Sequence, residues 1–443
     1  MRSYPNDRRI KNVWTLHQYA TPPRATGLVR PFYLGCGIIK SGYANTIFAS
    51  AFFHFSGHYH GDKRRLYEIE CAEGEPAFVY VRSIAYKGNG LTRVMNMISF
   101  VVNLLRATRR YAKQYGKPDL IYASSAPPTV ILAGRILAWR YRAPLVGEVR
   151  DLWPETLFNY GSIKPQSALG RLLVAGERWL YRQCDELIFT FEGGRDYIVE
   201  KGWDKAGKKS IALSHIHYIN NGVSIDEFDK QANEFRCTDP DLENNEIFKV
   251  VYTGSIRRVN NIGILIDAAA IIQASGSAGI RFLIWGDGNE REQLEKRCRD
   301  EGIRNVRFKG RVEKKYVPYI VRNADVNVNH LQMSPMLRYG WSQNKNFEYF
   351  AAGKPVLWTF QPAYGIIEEN HMGAVSKNPS PEAIAESILK LYALSAGERA
   401  EMGENARRTA YSFDYQTLSE KLERVFDSVG RNHFDNDGEP YER

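Results

Sequence analysis

Short apolar runs alternate with longer helical patterns along almost all of this 443-residue chain. Runs such as TIFASAF, DLIYAS and FKVVYTG have the length and the residue types of buried strands, and stretches with helical periodicity separate them. Strands and helices that alternate at this spacing predict a mostly parallel sheet covered by helices on both faces. The pattern therefore predicts an α/β protein.

The alternation occurs twice, which predicts two domains. The chain is too long for one ordinary core, and the pattern restarts after the turn INNGVS and the polar stretch DKQANEFRCTDPDLENNE. We expect a Rossmann-like domain over 1–235, a second one over 236–429, and a polar tail over 430–443. The last helix, near 415–429, is expected to cross back to the first domain. Two doubly wound domains place a ligand in the cleft between the carboxyl ends of their sheets.

The distribution of charge indicates the kind of binding partner, and the cysteine content indicates the cellular compartment. Residues 1–117 hold 18 Lys and Arg against 6 Asp and Glu, a balance of +12, so the remaining residues sum to −2 in a chain of +10. A basic first domain indicates an anionic partner, such as a nucleotide or a phospholipid. The five cysteines form no C-x-x-C pair, which disfavours a zinc ribbon and suits a reducing cytoplasm. We expect no secretory leader and no membrane-spanning segment.

Three segments of the second half carry potential binding chemistry. In FKVVYTGSIRRVNN, Arg257 and Arg258 precede a helix start, which indicates an anion site or a turn with solvated arginines. In FLIWGDGNEREQLEK, the glycines let a ligand approach the backbone and Asp287 caps the helix, or the same residues form a structural αL turn. In SQNKNFEYFAAGKPVLW, Glu348 and Lys345 can hold a ribose and a phosphate, or form a surface ion pair. Because all three segments close βα units of one sheet, they would line one rim.

A histidine cluster in the first half suggests a metal site only weakly. His54, His58 and His60 lie in FHFSGHYHGDKRR at spacings that permit metal ligation. No carboxylate or cysteine completes a ligand set at a fixed spacing. A polar loop near a substrate or acceptor is therefore the favoured interpretation.

The helix predicted over 91–115 combines an apolar face with basic residues. Met95, Ile98, Val102 and Leu105 lie near one face. The basic residues that flank this face are Arg93, Arg106, Arg109, Arg110 and Lys113. Such a helix either lies in an anionic headgroup layer or is a core helix with a solvated basic end. Nucleic acid is disfavoured, because no motif interleaves basic and aromatic residues.

Longer segments resemble glycosyltransferase family 4, the retaining nucleotide-sugar transferases of GT-B fold. In the second half, the resemblance rests on YTGSIRRVNNIGILIDAA, IWGDGNEREQLEKRCRDEGIRNVRFKGRV, ADVNVNHL and NKNFEYFAAGKPVL. In the first half, HQYATPPRATGLVRPFYLG, EVRDLWPET and INNGVSIDEF resemble a subset that assembles bacterial surface polysaccharide, such as O-antigen, capsule or exopolysaccharide. The resemblance covers nearly the whole chain and implies two Rossmann-like domains with the active site between them.

The resemblance implies roles for individual residues, matched position by position. Glu348 matches the glutamate that binds the nucleotide ribose, and Lys345, next to Asn344, matches the base beside the donor diphosphate. The other donor-binding positions that it implies are Ser255 and Arg257 after the first strand of the second domain, Gly286 and Asp287 by the nucleoside, Arg311 and Val312 at the base, and Gly27 and Leu28 at the distal phosphate.

Catalytic positions are also implied, and here the chain departs from the family pattern. Arg150 and Asp151 stand where many members have a His-Asp pair, and Asp151 or Glu148 would position the acceptor or the sugar. Gly340 replaces a glutamate that many members have eight residues before Glu348. The loop that contains Gly27 has one glycine where many relatives have two or three. These departures leave the donor sugar and the catalytic residue open.

The resemblance also implies a reaction and a place for it. A sugar, expected to be an amino or deoxy sugar, would pass from a UDP-sugar to a lipid-linked saccharide with retained configuration. Lys345 and Arg257 would stabilise the leaving diphosphate, so no metal or other cofactor is expected. The enzyme would be cytoplasmic and peripheral on the inner face of the cytoplasmic membrane. Two alternatives stay open: a GT-B nucleotide-sugar 2-epimerase, and a non-catalytic nucleotide-sugar-binding protein, which the loss of the glutamate at Gly340 would favour.

Overall fold

A computed structural model describes residues 10–434 apart from positions 26, 89, 126, 160, 206, 208 and 209. The chain divides into two compact units. The first unit contains the residues up to Asn220 and the C-terminal segment from Tyr415, and the second unit is Asn221–Asp414. Most of the polar tail predicted over 430–443 lies outside the described residues.

The first unit is built on an eight-stranded sheet in the order β3-β4-β2-β1-β5-β6-β7-β8. All neighbouring strands are parallel except β3 and β4, which pair antiparallel at one edge. The strands are β1 (Asn12–Leu16), β2 (Ala44–Ser50), β3 (Tyr67–Glu70), β4 (Ala77–Val81), β5 (Leu120–Ser124), β6 (Leu145–Val149), β7 (Glu186–Phe189) and β8 (Ile216–Tyr218). The helices that follow them are α1 (Arg30–Lys40), α2 (Leu91–Tyr115), α3 (Thr129–Tyr141), α4 (Trp153–Asn159), α5 (Ala168–Tyr181) and α6 (Gly194–Glu200).

The second unit is built on a six-stranded parallel sheet in the order β11-β10-β9-β12-β13-β14. Its strands are β9 (Phe248–Thr253), β10 (Ile280–Trp285), β11 (Val306–Gly310), β12 (Val326–Asn329), β13 (Val356–Trp358) and β14 (Gly373–Val375). Its helices are α7 (Ile225–Glu234), α8 (Pro240–Glu243), α9 (Gly263–Ala274), α10 (Arg291–Asp300), α11 (Val317–Arg322), α12 (Asn344–Ala351), α13 (Ile366–Glu369), α14 (Pro381–Ala393) and α15 (Ala396–Ala410). The strand order reverses between β9 and β12, and ligands of such sheets bind outside the carboxyl ends of the strands at that point.

Both sheets are buried, which explains their continuous apolar strands. All residues of β5, β6 and β9 are buried, as expected for central strands covered on two faces. In the second unit the apolar helix α9 buries Leu265, Ile266 and Ile272 in the same core cluster as Ile388 of α14. The predicted α/β class is confirmed.

The structure divides the chain between Asn220 and Asn221, whereas the sequence prediction placed the boundary at 235/236. The polar stretch after which the pattern restarts, residues 229–246, contains the second part of α7 and all of α8. Helix α7 buries Phe228 in a core cluster of the second unit, and its Asp229 binds Arg407 of α15. The sequence pattern did not predict this helix, because only a few of its residues are apolar and these lie on one face.

The last helix, α16 (Tyr415–Phe434), returns to the first unit and packs on α1. Gly37 permits the close approach, since a Cβ atom at this position would lie 2.0 Å from Ser419 Oγ. The rings of Tyr33 and Tyr415 stack at 4.9 Å, and the Tyr43 hydroxyl donates a hydrogen bond to Asp427 at 2.7 Å. Among the described residues, no helix has the length and apolar content needed to cross a bilayer.

Candidate functional site

The loops after β9, β10 and β11 meet at the carboxyl edge of the second sheet. The Gly254 N–H donates to the Trp285 carbonyl at 3.0 Å, and the Ile256 N–H donates to the Asp287 carbonyl at 2.9 Å. The Gly286 N–H donates to the Gly310 carbonyl at 2.8 Å, which joins the third loop. The two segments singled out at 254–258 and 286–288 therefore form one rim, as the sequence pattern suggests.

Lys345, near the start of α12, reaches this rim as an unbalanced cation. Its ammonium lies 4.1 Å from the centre of the Tyr252 ring, and a Cβ atom on Gly254 would lie 2.7 Å from its Nζ. Among the described residues, no carboxylate lies within ion-pair distance of it. Burial lowers the pKa of Lys345 to about 7, and the charge of Glu348 partly offsets this effect. A half-buried lysine that has a pKa near 7 and lies beside a glycine backbone is suited to bind an anionic ligand.

Hydrogen bonds to neighbouring strands fix the helix that carries Lys345. The Tyr349 hydroxyl accepts a hydrogen bond from the Thr253 N–H at 3.0 Å at the end of β9. Asn346 Oδ1 accepts from Asn329 at 2.8 Å and from the Trp358 indole at 3.0 Å. These buried contacts hold α12 against the ends of three strands, so the position of Lys345 is set by the core rather than by solvent-exposed contacts.

Glu348 lies one turn after Lys345 but pairs with a different lysine. Its carboxylate forms a salt bridge with Lys314, which lies in the loop after β11. The predicted surface pair between Lys345 and Glu348 is therefore replaced by a contact that links α12 to the third loop of the rim. Sequence reasoning missed Lys314, because nothing local marks one lysine in RVEKKY as the partner of a residue so distant in the chain.

His330, at the end of β12, was also missed. Its Nε2 lies 3.0 Å from the Asn261 carbonyl, which can only accept, so Nε2 carries the proton and Nδ1 accepts from the Thr359 hydroxyl at 2.6 Å. Burial, together with the charge of Lys345, lowers the pKa of His330 to about 4. The ring is therefore neutral. Its two hydrogen bonds connect the segment after the first loop of the rim, at Asn261, to the ends of β12 and β13.

The remaining predicted donor residues of the second unit are exposed or half-buried. Ser255 is exposed, and its hydroxyl accepts from Asn260 at 2.8 Å. The side chains of Arg257, Arg311 and Asn344 are exposed, and neither arginine forms an ion pair in the described part of the chain. Val312 is half-buried and packs on a cluster that includes Leu242 and Trp285.

Asp287 does not cap the following helix, which corrects one sequence expectation. Helix α10 begins at Arg291, and Glu290 occupies its N-terminal cap position. Asp287 instead accepts a hydrogen bond from the next N–H, that of Gly288, at 2.8 Å. Gly340, where the resemblance led us to expect a glutamate in many members of the family, has φ +112°, a backbone conformation that a glutamate would strain.

Gly286→Ala is expected to destabilise the second unit by about 2–4 kcal/mol, through backbone strain combined with overpacking. The residue has φ +150°, and a Cβ atom would lie 1.7 Å from the Gly254 carbonyl oxygen. Gly276→Ala is the matched control, since it has φ +82° but no neighbour within 4 Å of the Cβ position, and should cost about 1 kcal/mol. Denaturant unfolding of both variants measures the difference, and equal losses would show that the contact between the two loops is not tight.

The carboxyl edge of the first sheet holds a second polar cluster, centred on Glu148 at the end of β6. Arg30 Nε and Nη2 bind Glu148 Oε2 at 2.9 and 2.8 Å, Ser124 donates to Oε1 at 2.9 Å, and the Tyr122 hydroxyl also donates. Burial alone would raise the pKa of Glu148, but the charges of Arg30 and Arg150 lower it to about 2. Glu148 is 1% exposed and saturated with donors. This geometry favours a structural role over the predicted positioning of a substrate.

Arg30 was missed by sequence reasoning although its position carries a signal. It opens α1, where the positive end of the helix disfavours a cation, so a buried anion must compensate. Its guanidinium also donates to the carbonyls of Ile219 and Asn220, where the chain leaves the first unit.

The other predicted residues of the first unit lie around the same edge. The Arg150 N–H donates to Ser125 at 3.0 Å, and Asp151 is exposed. Leu28 pairs with Ala20 in a short bridge, and a Cβ atom on Gly27 would collide with Thr21 at 2.3 Å. Gly27 therefore closes the loop after β1.

His17, directly after β1, is a further residue that the sequence did not single out. It is fully buried, and neither ring nitrogen has a hydrogen-bond partner in the described residues. Burial, with the charge of Arg150, lowers the pKa of His17 to about 3, so the ring is neutral.

The three clustered histidines contact different partners. His54 Nδ1 lies 2.6 Å from the Tyr86 hydroxyl, the His60 ring lies 4.0 Å from that of Tyr80, and His58 is exposed. No group of three or more His, Cys, Asp or Glu within the described residues could hold a metal ion.

Two domain families match the sequence, one in each unit. Residues 39–207 match a Glycosyl transferase 4-like domain, and residues 247–393 match Glycosyl transferases group 1. No curated protein matches the sequence.

Solved structures resemble the chain along almost its whole length. Sucrose-phosphate synthase from Thermosynechococcus elongatus is 17% identical, with a TM-score of 0.66 over 95% of this chain and 99% of that one. HepE of Anabaena in complex with UDP is 17% identical, with a TM-score of 0.65 over 95% and 100%. A glycosyltransferase from Rickettsia africae is 14% identical, with a TM-score of 0.61 over 96% and 99%.

The two Rossmann-like units and their matched domains define the class. The chain is a glycosyltransferase with the GT-B fold. Its first unit contains the 4-like domain, and its second unit contains the group 1 domain, which carries Lys345 and Glu348.

Proposed function

We propose that this enzyme transfers a sugar from a nucleoside diphosphate donor, which we take to be a UDP-sugar, to a lipid-linked saccharide. The observation that carries the proposal is Lys345, a cation without a carboxylate partner among the described residues, held at the carboxyl edge of the second sheet. HepE was solved with UDP and with UDP-glucose, which supports a uridine nucleotide for this chain. An amino or deoxy sugar as the transferred group rests on the sequence resemblance.

In the proposed step, the acceptor hydroxyl oxygen forms a bond to the anomeric carbon while the bond from that carbon to the diphosphate oxygen breaks. Negative charge develops on the leaving diphosphate, and Lys345 is placed to stabilise it, with Arg257 as a second cation. The acceptor proton passes to the leaving phosphate. Retention of configuration and independence of a metal ion rest on the resemblance, and Asp151, exposed beside Arg150, is the residue of the first unit that we assign to positioning the sugar or the acceptor.

The proposal includes peripheral binding to the inner face of the cytoplasmic membrane during assembly of a surface polysaccharide. Helix α2 supports membrane binding because it has two apolar faces. One face buries Phe100 and Leu104 in the core. The other face is apolar and exposed to solvent. Its residues have exposed fractions of 41–74%, and they are Leu91, Val94, Met95, Ile98 and Val102. Such a patch on a soluble surface indicates contact with a membrane or a partner. Leu105, which the sequence placed on this face, instead packs against the core.

A nucleotide panel followed by transfer assays tests the proposed reaction. UDP and UDP-sugars should raise the melting temperature by several degrees, because they bind only the folded protein, whereas ADP and GDP should not. Incubation with the donor alone separates the alternatives: a 2-epimerase produces a new nucleotide sugar, and a transferase leaves the donor or hydrolyses it slowly. Binding without turnover across lipid-linked acceptors would favour a non-catalytic protein.

Glu348→Gln is expected to weaken UDP binding by about 10- to 100-fold, because the amide offers the two ribose hydroxyls one neutral accepting oxygen where the carboxylate offers two charged ones. Calorimetry with UDP measures the change. Lys314→Ala is the matched control, since it removes the ion-pair partner of Glu348 and leaves the carboxylate in place; it should change the affinity by less than about threefold. Unchanged UDP affinity in Glu348→Gln would remove Glu348 from the nucleotide site.

A further inference from the structure

A pocket of the first unit is lined almost entirely by arginines. It lies between the segment before β3, the end of β4 and the second half of α2, and has a volume of about 600 Å³. Its lining residues are Arg64, Leu66, Arg82, Arg106, Arg109 and Arg110. We refer to it as the arginine pocket. It belongs to neither of the two polar edges described above.

Only one of the five arginines of the arginine pocket has a carboxylate partner among the described residues. No carboxylate lines the pocket among the described residues. Arg64 pairs with the exposed Asp62, and within the described residues the Arg82 guanidinium donates only to the Arg64 carbonyl, at 3.4 Å. Arg109 and Arg110 form no ion pair in the described part of the chain. Several guanidinium groups around one cavity repel one another unless an anion lies between them, and their planar donors match phosphate oxygens.

An apolar groove continues from the arginine pocket along α2. The groove has a volume of about 630 Å³ and shares Arg82 and Arg106 with the pocket. Its apolar lining comes from Ile84, Met95, Ile98 and Val102, and these four side chains are 41–56% exposed. A cationic pocket that opens into an apolar groove is complementary to a molecule with a phosphate at one end and a hydrocarbon chain at the other.

We propose that the arginine pocket binds the phosphomonoester or diphosphate group of a membrane lipid, whose hydrocarbon chain lies in the adjoining groove. Five arginines match an anion with more than one charge better than a phosphodiester with a single charge. The inference deepens the proposed membrane association and rests on it. It assigns the binding to one lipid class, whereas a diffuse basic surface would respond to net charge alone.

Vesicle flotation of the full chain tests this assignment. Vesicles of phosphatidylcholine are compared with vesicles that also contain phosphatidylglycerol, a phosphodiester, or phosphatidic acid, a phosphomonoester, matched for surface charge by zeta potential. We expect at least about tenfold tighter binding to the phosphatidic acid vesicles, a difference that two or more charge-assisted hydrogen bonds can supply. Inorganic pyrophosphate should compete for the same vesicles.

The double variant Arg109→Gln/Arg110→Gln tests whether the arginines of the pocket are responsible for the binding. It should weaken binding to phosphatidic acid vesicles by about 30-fold, since each lost arginine near an anionic surface costs about fivefold. Arg299→Gln/Arg304→Gln is the matched control, because it removes two exposed charges from the second unit and should leave binding unchanged. Both double variants should retain UDP affinity.

Three results would overturn the proposal, and each has a distinct signature. Equal binding to the two anionic vesicles at matched charge would mean that the basic surface acts diffusely and the pocket is not a site. Pyrophosphate binding by calorimetry without any vesicle binding would assign the pocket to a soluble anion and would also refute the membrane association. Self-association that Ile98→Glu abolishes, again without vesicle binding, would assign the groove to a second copy of the chain. None of these results affects the donor site, which UDP calorimetry measures separately.

Discussion

Lys345→Met should lower kcat by about 10²- to 10³-fold while changing the donor affinity much less, as expected for a charge that acts mainly on the leaving group. The ammonium has no carboxylate partner within ion-pair distance in the described residues, and Glu348 is paired with Lys314. Removing a half-buried, unpaired amine should leave the folded protein at least as stable as the parent. A melting curve therefore separates loss of chemistry from loss of fold. Equal loss of kcat and donor affinity would instead indicate simple ground-state binding.

The same lysine should make the reaction sensitive to pH. Because burial lowers the pKa of Lys345 to about 7, the side chain of the free enzyme loses its charge as the pH rises through neutrality. kcat/KM for the donor should therefore fall as the pH rises above about 7, and calorimetry in buffers of different ionisation enthalpy should show proton uptake on UDP binding at about pH 8. Lys345→Arg stays charged and should lose this pH dependence while keeping part of the activity. A parent-like pH profile in Lys345→Met would show that another group titrates.

Arg30→Met is expected to destabilise the first unit by about 3–5 kcal/mol, because it leaves Glu148 as a buried charge without its main partner. Arg30 is 3% and Glu148 1% exposed, so water cannot replace the lost contact. The variant also removes the donors to Ile219 and Asn220. Denaturant unfolding measures the loss, and Arg30→Met/Glu148→Gln should recover part of it. Arg24→Met, which breaks an exposed pair with Glu70 and Glu75 in the same unit, should cost about 1 kcal/mol or less.

Acid sensitivity gives the Arg30 result an independent check. The pKa of Glu148 is lowered from its ordinary value of 4.5 to about 2 in the folded chain. The ionised carboxylate therefore stabilises the fold above about pH 4.5, and this contribution is lost as the pH falls toward 2. Glu148→Gln should unfold with a weaker pH dependence across this interval. A small effect of Arg30→Met together with an unchanged acid transition would mean that the Arg30–Glu148 pair contributes little to stability.

The elements that the sequence predicted well are those with a strong local pattern. Helix α2 begins and ends at the predicted residues, and the strands β2, β5 and β9 differ by at most two residues at either end from the predicted runs TIFASAF, DLIYAS and FKVVYTG. The elements that it missed, such as β3 and α7, are polar or half-exposed, so no apolar run marks them. The alternation of apolar and polar residues reveals an element only when many of its residues are buried. Too few residues of β3 and α7 are buried to produce such a pattern.

The sequence by itself determined the α/β class, the two Rossmann-like units and the segments that meet at the edge of the second sheet, because strands, turns and helix starts leave local signatures. Only the tertiary structure decided which charges pair. It joined Glu148 to Arg30, 118 residues apart in the chain, and Glu348 to Lys314, which left Lys345 without a carboxylate partner among the described residues. Which charges pair depends on distances and burial that exist only in the folded chain. The local sequence around a charged residue does not indicate which distant residue it will contact.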